Sequence, residues 1–185
     1  MKKFLLLLIV FVATGSCDVE DVCRAAQLIG TANDPTWPHE CFYRRHLAGR
    51  ENNPRAYLDA FVADAARYGI DVSHVYNGTI RIEFGDARGY NARVKSGCND
   101  SRVWVIIDRN WWDGTNFGTR LGTMYHEFGH DILNMDHSDR GLMTPRAQEQ
   151  TALDVVGAIR DFFLGYNNNT FVRYSRSGCY TNYPF

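Results

Sequence analysis

Two histidines four positions apart, with a glutamate after the first, constrain this 185-residue chain more than any other feature. The stretch is His126-Glu127-Phe128-Gly129-His130. On a helix, residues i and i+4 stand one turn apart on one face, so both imidazoles can reach a single ion. Glu127, beside the first histidine, can then work on a water held by that ion. A hydrolytic zinc centre takes three protein ligands and keeps one position open. The fold must therefore build a helix here and return a third donor to it.

His137 follows seven residues after His130, in Asn134-Met135-Asp136-His137-Ser138, and Gly141-Leu142-Met143-Thr144-Pro145 comes shortly after. At these residues the chain resembles the metzincin clan of zinc peptidases, whose long motif is HExxHxxGxxH followed by a methionine turn. Within the clan it is most similar to the matrixin branch, whose turn commonly reads Leu-Met-x-Pro. More narrowly it resembles small metallopeptidase-type lipoproteins of Bacteroidetes-type bacteria. That similarity runs from about Tyr57 to Gly165, and its specific motifs occupy His126 to Pro145.

One departure concerns the third ligand. The eighth motif position is Leu133 where the clan has glycine, and the eleventh is Asp136. Asn134 lies three residues before His137, as the clan's glycine lies three before its last histidine. Asparagine adopts the left-handed conformation more readily than other residues with a Cβ. The helix is thus expected to run one residue longer, with Asn134 turning the chain so that His137 reaches the metal. The rival reading keeps the clan spacing and makes Asp136 the ligand.

The resemblance implies one catalytic Zn²⁺ on His126, His130 and His137, Glu127 as general base, and Met143 as an apolar floor beneath the metal. It implies an endopeptidase acting on a protein or peptide substrate. Two alternatives share the scaffold: a zinc amide hydrolase acting on cell-wall material, and a non-enzymatic surface-binding lipoprotein. A closed structural zinc site would need a fourth protein ligand, for which Asp136 is the obvious candidate. Thr144 stands where many clan members carry an aromatic residue, so no transition-state tyrosine is assigned.

Residues 1–16 read as a lipoprotein-type signal peptide. Lys2 and Lys3 are followed by an apolar run from Phe4 to Ala13 and by Thr14-Gly15-Ser16-Cys17. Cys17 would become the lipidated amino terminus, with plain secretion as the alternative. An exported chain is expected either way, touching membrane only through that anchor. Lys and Arg number 20 against 21 Asp and Glu, with no basic block, which argues against a nucleic-acid partner. A monomer is expected. With Cys17 acylated, Cys23, Cys41, Cys98 and Cys179 read as two disulfides in one of three pairings. Cysteine ligation of zinc is the other possibility, although no C-x-x-C occurs.

Residues 17–53 form a polar lead-in, and 54–185 the zinc metallopeptidase domain. Asn53 and Pro54 start a helix whose apolar face is Tyr57, Leu58, Phe61, Val62, Ala65 and Tyr68, ending at Gly69. Strands are expected at Ile70–Asn77, Thr79–Phe84, Tyr90–Lys95 and Val103–Ile107. The last is continuous and β-rich. By the resemblance it is the substrate-binding edge strand or its neighbour, and by its own pattern a central core strand. A motif helix over Thr119–Leu133 and a terminal helix over Arg146–Leu164, stopped by Gly165, complete the order. This is an α+β chain: helix, about four strands in a mixed sheet, HExxH helix, Met turn, C-terminal helix. Asp108, Asp131 and Asp139 read as solvated or capping carboxylates. His39, His46 and His74 read as surface or locally bonded histidines, and Trp104, Trp111, Trp112 and Phe117 as core or loop-packing aromatics, of which at most one lines a specificity pocket.

Overall fold

The structure is a computed structural model that describes residue 43 and residues 46–95, 102–145 and 152–170. The signal segment, Cys17, the other four cysteines, His39 and the tail lie outside the described residues. So do the expected start of the last helix at Arg146 and the expected disulfides.

Helix α1 (Pro54–Arg67) begins as its sequence dictates. The Asn53 side chain accepts from the Arg55 backbone N–H, and Pro54 occupies the first turn, where no amide proton is needed. It ends at Gly69, whose φ of 74° belongs to the left-handed region. There the Ile70 N–H returns to the Ala65 carbonyl and the Gly69 N–H to Ala66, satisfying the last carbonyls.

The expected strand at Ile70–Asn77 does not form. A short 3₁₀ helix, Ser73–Asn77, takes its place. Asp71 accepts from the Ser73 backbone N–H at 2.9 Å, a local bond that offers the chain a turn in place of a ladder. Among the described residues the sheet therefore has three strands: β1 (Thr79–Phe84), β2 (Ala92–Val94) and β3 (Arg102–Ile107), in the order β1-β3-β2. β1 runs parallel to β3 and β2 antiparallel to it. β3 is thus the central strand, as its apolar run suggested, and the edge role falls to its neighbours. β2 is shorter than expected because Arg88 and Gly89, both at positive φ, turn the chain just before it.

Next come α2 (Arg109–Gly114), α3 (Phe117–Asp131) and α4 (Ala152–Asn167). Asp108 caps α2 by accepting from the Trp111 N–H at 2.7 Å, and Asn116 caps α3 by accepting from Thr119. α3 packs against α1, α4, β2 and β3, so it is buried nearly all round. Phe61 of α1 is the centre of that packing, its ring 5.1 Å from Tyr125, 5.3 Å from Phe128 and 5.5 Å from Phe163. Among the described side chains of α4, Val155, Ile159, Phe162 and Phe163 are buried, with Val156 only partly covered. α4 runs past Gly165 and stops where Asn169 takes a φ of 53°. The core also reaches across position 53: Tyr43 and Leu47 are buried, and the Tyr43 hydroxyl donates to the buried Asp64 carboxylate at 2.7 Å. No helix among the described residues is long and apolar enough to cross a membrane.

Candidate metal centre

α3 carries His126 and His130 on one face, one turn apart. The helix ends at Asp131, two residues before the expected Leu133, and Ile132 and Leu133 both direct their N–H groups to the Phe128 carbonyl. Asn134 then takes a φ of 53°, as its spacing from His137 suggested. This reversal returns the Met135 N–H to the Gly129 carbonyl at 3.0 Å and swings the following residues back over the helix.

The result is a cluster of three side chains. His126, His130 and His137 each offer one ring nitrogen, and these nitrogens lie within 4.8 Å of one another, close enough to bind one metal ion. The Nε2 atoms of His130 and His126 are 3.0 Å apart, and those of His130 and His137 are 3.1 Å apart. Asp136, the rival donor, is not in the group. Its carboxylate accepts from the His137 backbone N–H at 2.7 Å. His46 and His74 are also outside the group.

The donor set fits a divalent cation. His126 Nδ1 lies 2.8 Å from the Leu142 carbonyl oxygen, and His130 Nδ1 lies 2.7 Å from that of Met135. A carbonyl can only accept, so this geometry assigns the proton of both rings to Nδ1. Both Nε2 atoms then turn lone pairs toward the same point. Two facing lone pairs at 3.0 Å repel unless something positive lies between them. A proton is disfavoured, because burial depresses His126 to about 4 and His130 to about 2, and it lowers His137 as well. A tetrahedral ion with bonds of about 2.0–2.1 Å would set its donors roughly 3.3–3.4 Å apart, within a few tenths of an ångström of the observed contacts.

Beneath the cluster the chain closes tightly. The Ser138 N–H donates to the Met143 carbonyl at 2.9 Å, with Gly141 at a φ of 72° inside that loop. The loop aims the Leu142 carbonyl at His126 and buries Met143 completely. Gly129 explains how Met143 fits: a Cβ there would stand 2.8 Å from the Met143 Sδ and 3.0 Å from the Phe162 ring. Any larger side chain inside the motif would push one of them aside.

Glu127, next to His126 in the chain, is buried. Its carboxylate takes a hydrogen bond from the Val94 backbone N–H, while Oε2 has no hydrogen-bond partner. Burial, and after it the charge of Asp131, push the carboxyl up to about 8, against the Val94 bond. A cation at the three nitrogens would act in the opposite direction and favour the ionised form.

Asp131 departs from expectation. It is neither solvated nor a helix cap. It is 2% exposed and accepts from the Trp104 backbone N–H at 3.0 Å. Its sequence signal was its spacing, four residues after Glu127 on the same helical face. The tryptophans divide. Trp112 is buried against Tyr57 and Phe84. Trp104 lies half-buried on the outer face of the sheet, between Arg81 and Lys95, its ring nitrogen donating to Glu83. No protein family, no curated protein and no solved structure matches this chain.

Proposed function

We propose that the chain is a zinc-dependent endopeptidase of the metzincin type, exported and working outside the cytoplasm. The observation that carries the reading is the convergence of three imidazoles, two with their protons fixed on backbone carbonyls, while Glu127, next to His126 in the chain, is a buried carboxylate with a bare oxygen. A closed structural centre would have no use for that carboxylate.

His126, His130 and His137 would hold the ion through Nε2. When bound there, zinc polarises a carbonyl and lowers the pKa of a coordinated water from near 16 toward about 7. Glu127 Oε2 takes a proton from the attacking water and delivers it to the leaving amine. Val94 keeps the carboxylate oriented during both transfers, because its N–H occupies one oxygen and leaves the other for the reaction.

Digestion of a mixed peptide library by the zinc-loaded mature chain tests this. Internal cleavages are expected, lost with a chelator and restored by added zinc. Release of amino acids from cell-wall fragments with no cut peptide would assign the centre to amide hydrolysis of wall material instead. A zinc-bound chain that cuts neither would mark a binding protein.

A further inference from the structure

The β2–β3 ladder is interrupted at one pair. Its register pairs Arg93 with Ile106 and Val94 with Val105, which places Lys95 opposite Trp104. Lys95 donates its N–H to the Trp104 carbonyl at 2.9 Å, so this is a hydrogen-bonded pair, in which an antiparallel ladder exchanges both bonds. The return bond is diverted. The Trp104 N–H goes to the Asp131 carboxylate, 27 residues along the chain. The neighbouring Val94 is in a non-bonded pair, so its N–H points away from β3, toward the free edge where Glu127 lies.

A buried carboxylate one turn from a second buried carboxylate costs stability, since like charges four apart on a helix repel. The two groups sit on one helix and hold two adjacent strands at neighbouring register positions. Resting on the peptidase reading above, we propose that Asp131 is a positioning residue for Glu127: by taking the Trp104 amide proton it holds β3, and through the Lys95–Trp104 bond it holds β2, so that Val94 meets the Glu127 carboxylate. Asp131 touches neither substrate nor metal in this role. It acts through the strand.

The test compares Asp131→Ala, which removes the acceptor, with Asp131→Asn, which keeps an acceptor oxygen and drops the charge. Both are made in the zinc-loaded mature chain and assayed on a peptide that the wild type cleaves. Asp131→Ala is expected to lower kcat by about 10- to 100-fold, the scale of a slightly misplaced catalytic group. Its KM and its zinc affinity by chelator competition stay within about threefold of wild type, and Asp131→Asn keeps its kcat. In amide spectra, Asp131→Ala shifts the Val94 resonance and opens the Trp104 amide to exchange, whereas Asp131→Asn does neither. An unchanged kcat or an unmoved Val94 amide in Asp131→Ala overturns the proposal. So does an Asp131→Asn variant as impaired as Asp131→Ala, because charge rather than the bond would then be at work. If Asp131→Ala does not fold, Asp131→Asn decides: a kcat lowered about tenfold or more, or a shifted Val94 amide, overturns the proposal, and wild-type values of both sustain it. If the wild type holds zinc and cuts no peptide, the peptidase reading fails, and the two amides alone decide whether Asp131 clamps the strand.

Discussion

Glu127→Ala is expected to hold zinc like the wild type and to lose peptide cleavage by about 10²–10⁴-fold, the usual contribution of a positioned general acid–base. The reason lies in the division of labour at the centre. The three nitrogens that converge all belong to histidines, so removing the carboxylate takes away no donor. What goes is the bare Oε2 of Glu127. Glu127→Gln separates charge from shape and should be nearly as inactive, because an amide cannot take the proton. Turnover measured beside the zinc content of each protein reads both halves of the result. A third readout has a definite sign. Burial and the Asp131 charge make an ionised Glu127 costly in the metal-free fold. The metal-free Glu127→Gln chain is therefore expected to melt at a higher temperature than the wild type, stability gained at the expense of activity. Normal turnover in Glu127→Ala would remove the general-base assignment.

His137→Ala and Asp136→Ala are expected to part company. Loss of an orienting partner in the surroundings of a metal site costs roughly 10–100-fold in affinity, and loss of a ligand should exceed that. His137→Ala should therefore weaken zinc binding by more than about 100-fold. Asp136→Ala should change it only a few-fold, about what a displaced surface charge does to a neighbouring imidazole. The prediction rests on where each side chain points: His137 Nε2 approaches His130 Nε2 at 3.1 Å, while Asp136 is turned onto a backbone N–H. Zinc affinities by competition with a chromophoric chelator measure both. Metal loss in Asp136→Ala alone would make the aspartate the donor.

Much of this centre can be read from the sequence because its elements are local. The i, i+4 spacing of His126 and His130 needs only a helix, and the capping residue Asn53 and the stop at Gly69 act within a few positions. Asn134 belongs to the same class, since its backbone conformation follows from its own side chain and the reversal that His137 requires. Residues 70–77 misled because their apolar alternation suits a strand while Asp71 and Ser73 bond locally into a turn. The six-residue helix α2, between two aromatic segments, is too short to show a period. Asp131 was undervalued for a different reason. Its partner is a backbone N–H on β3, and no side-chain pattern records a backbone donor left over by an interrupted ladder. The choice of β3 as centre and β2 as edge likewise depends on pairing that arises only in the folded sheet.

X-ray absorption at the zinc edge of the loaded wild-type chain bears most directly on the centre. The expected first shell has three imidazole nitrogens at about 2.0–2.1 Å and one light oxygen from solvent. Spectra of His126→Ala, His130→Ala and His137→Ala should each show one imidazole fewer. A shell with a sulfur donor, with a fourth protein ligand, or with the imidazole count unchanged in any of these variants would contradict an open three-histidine site.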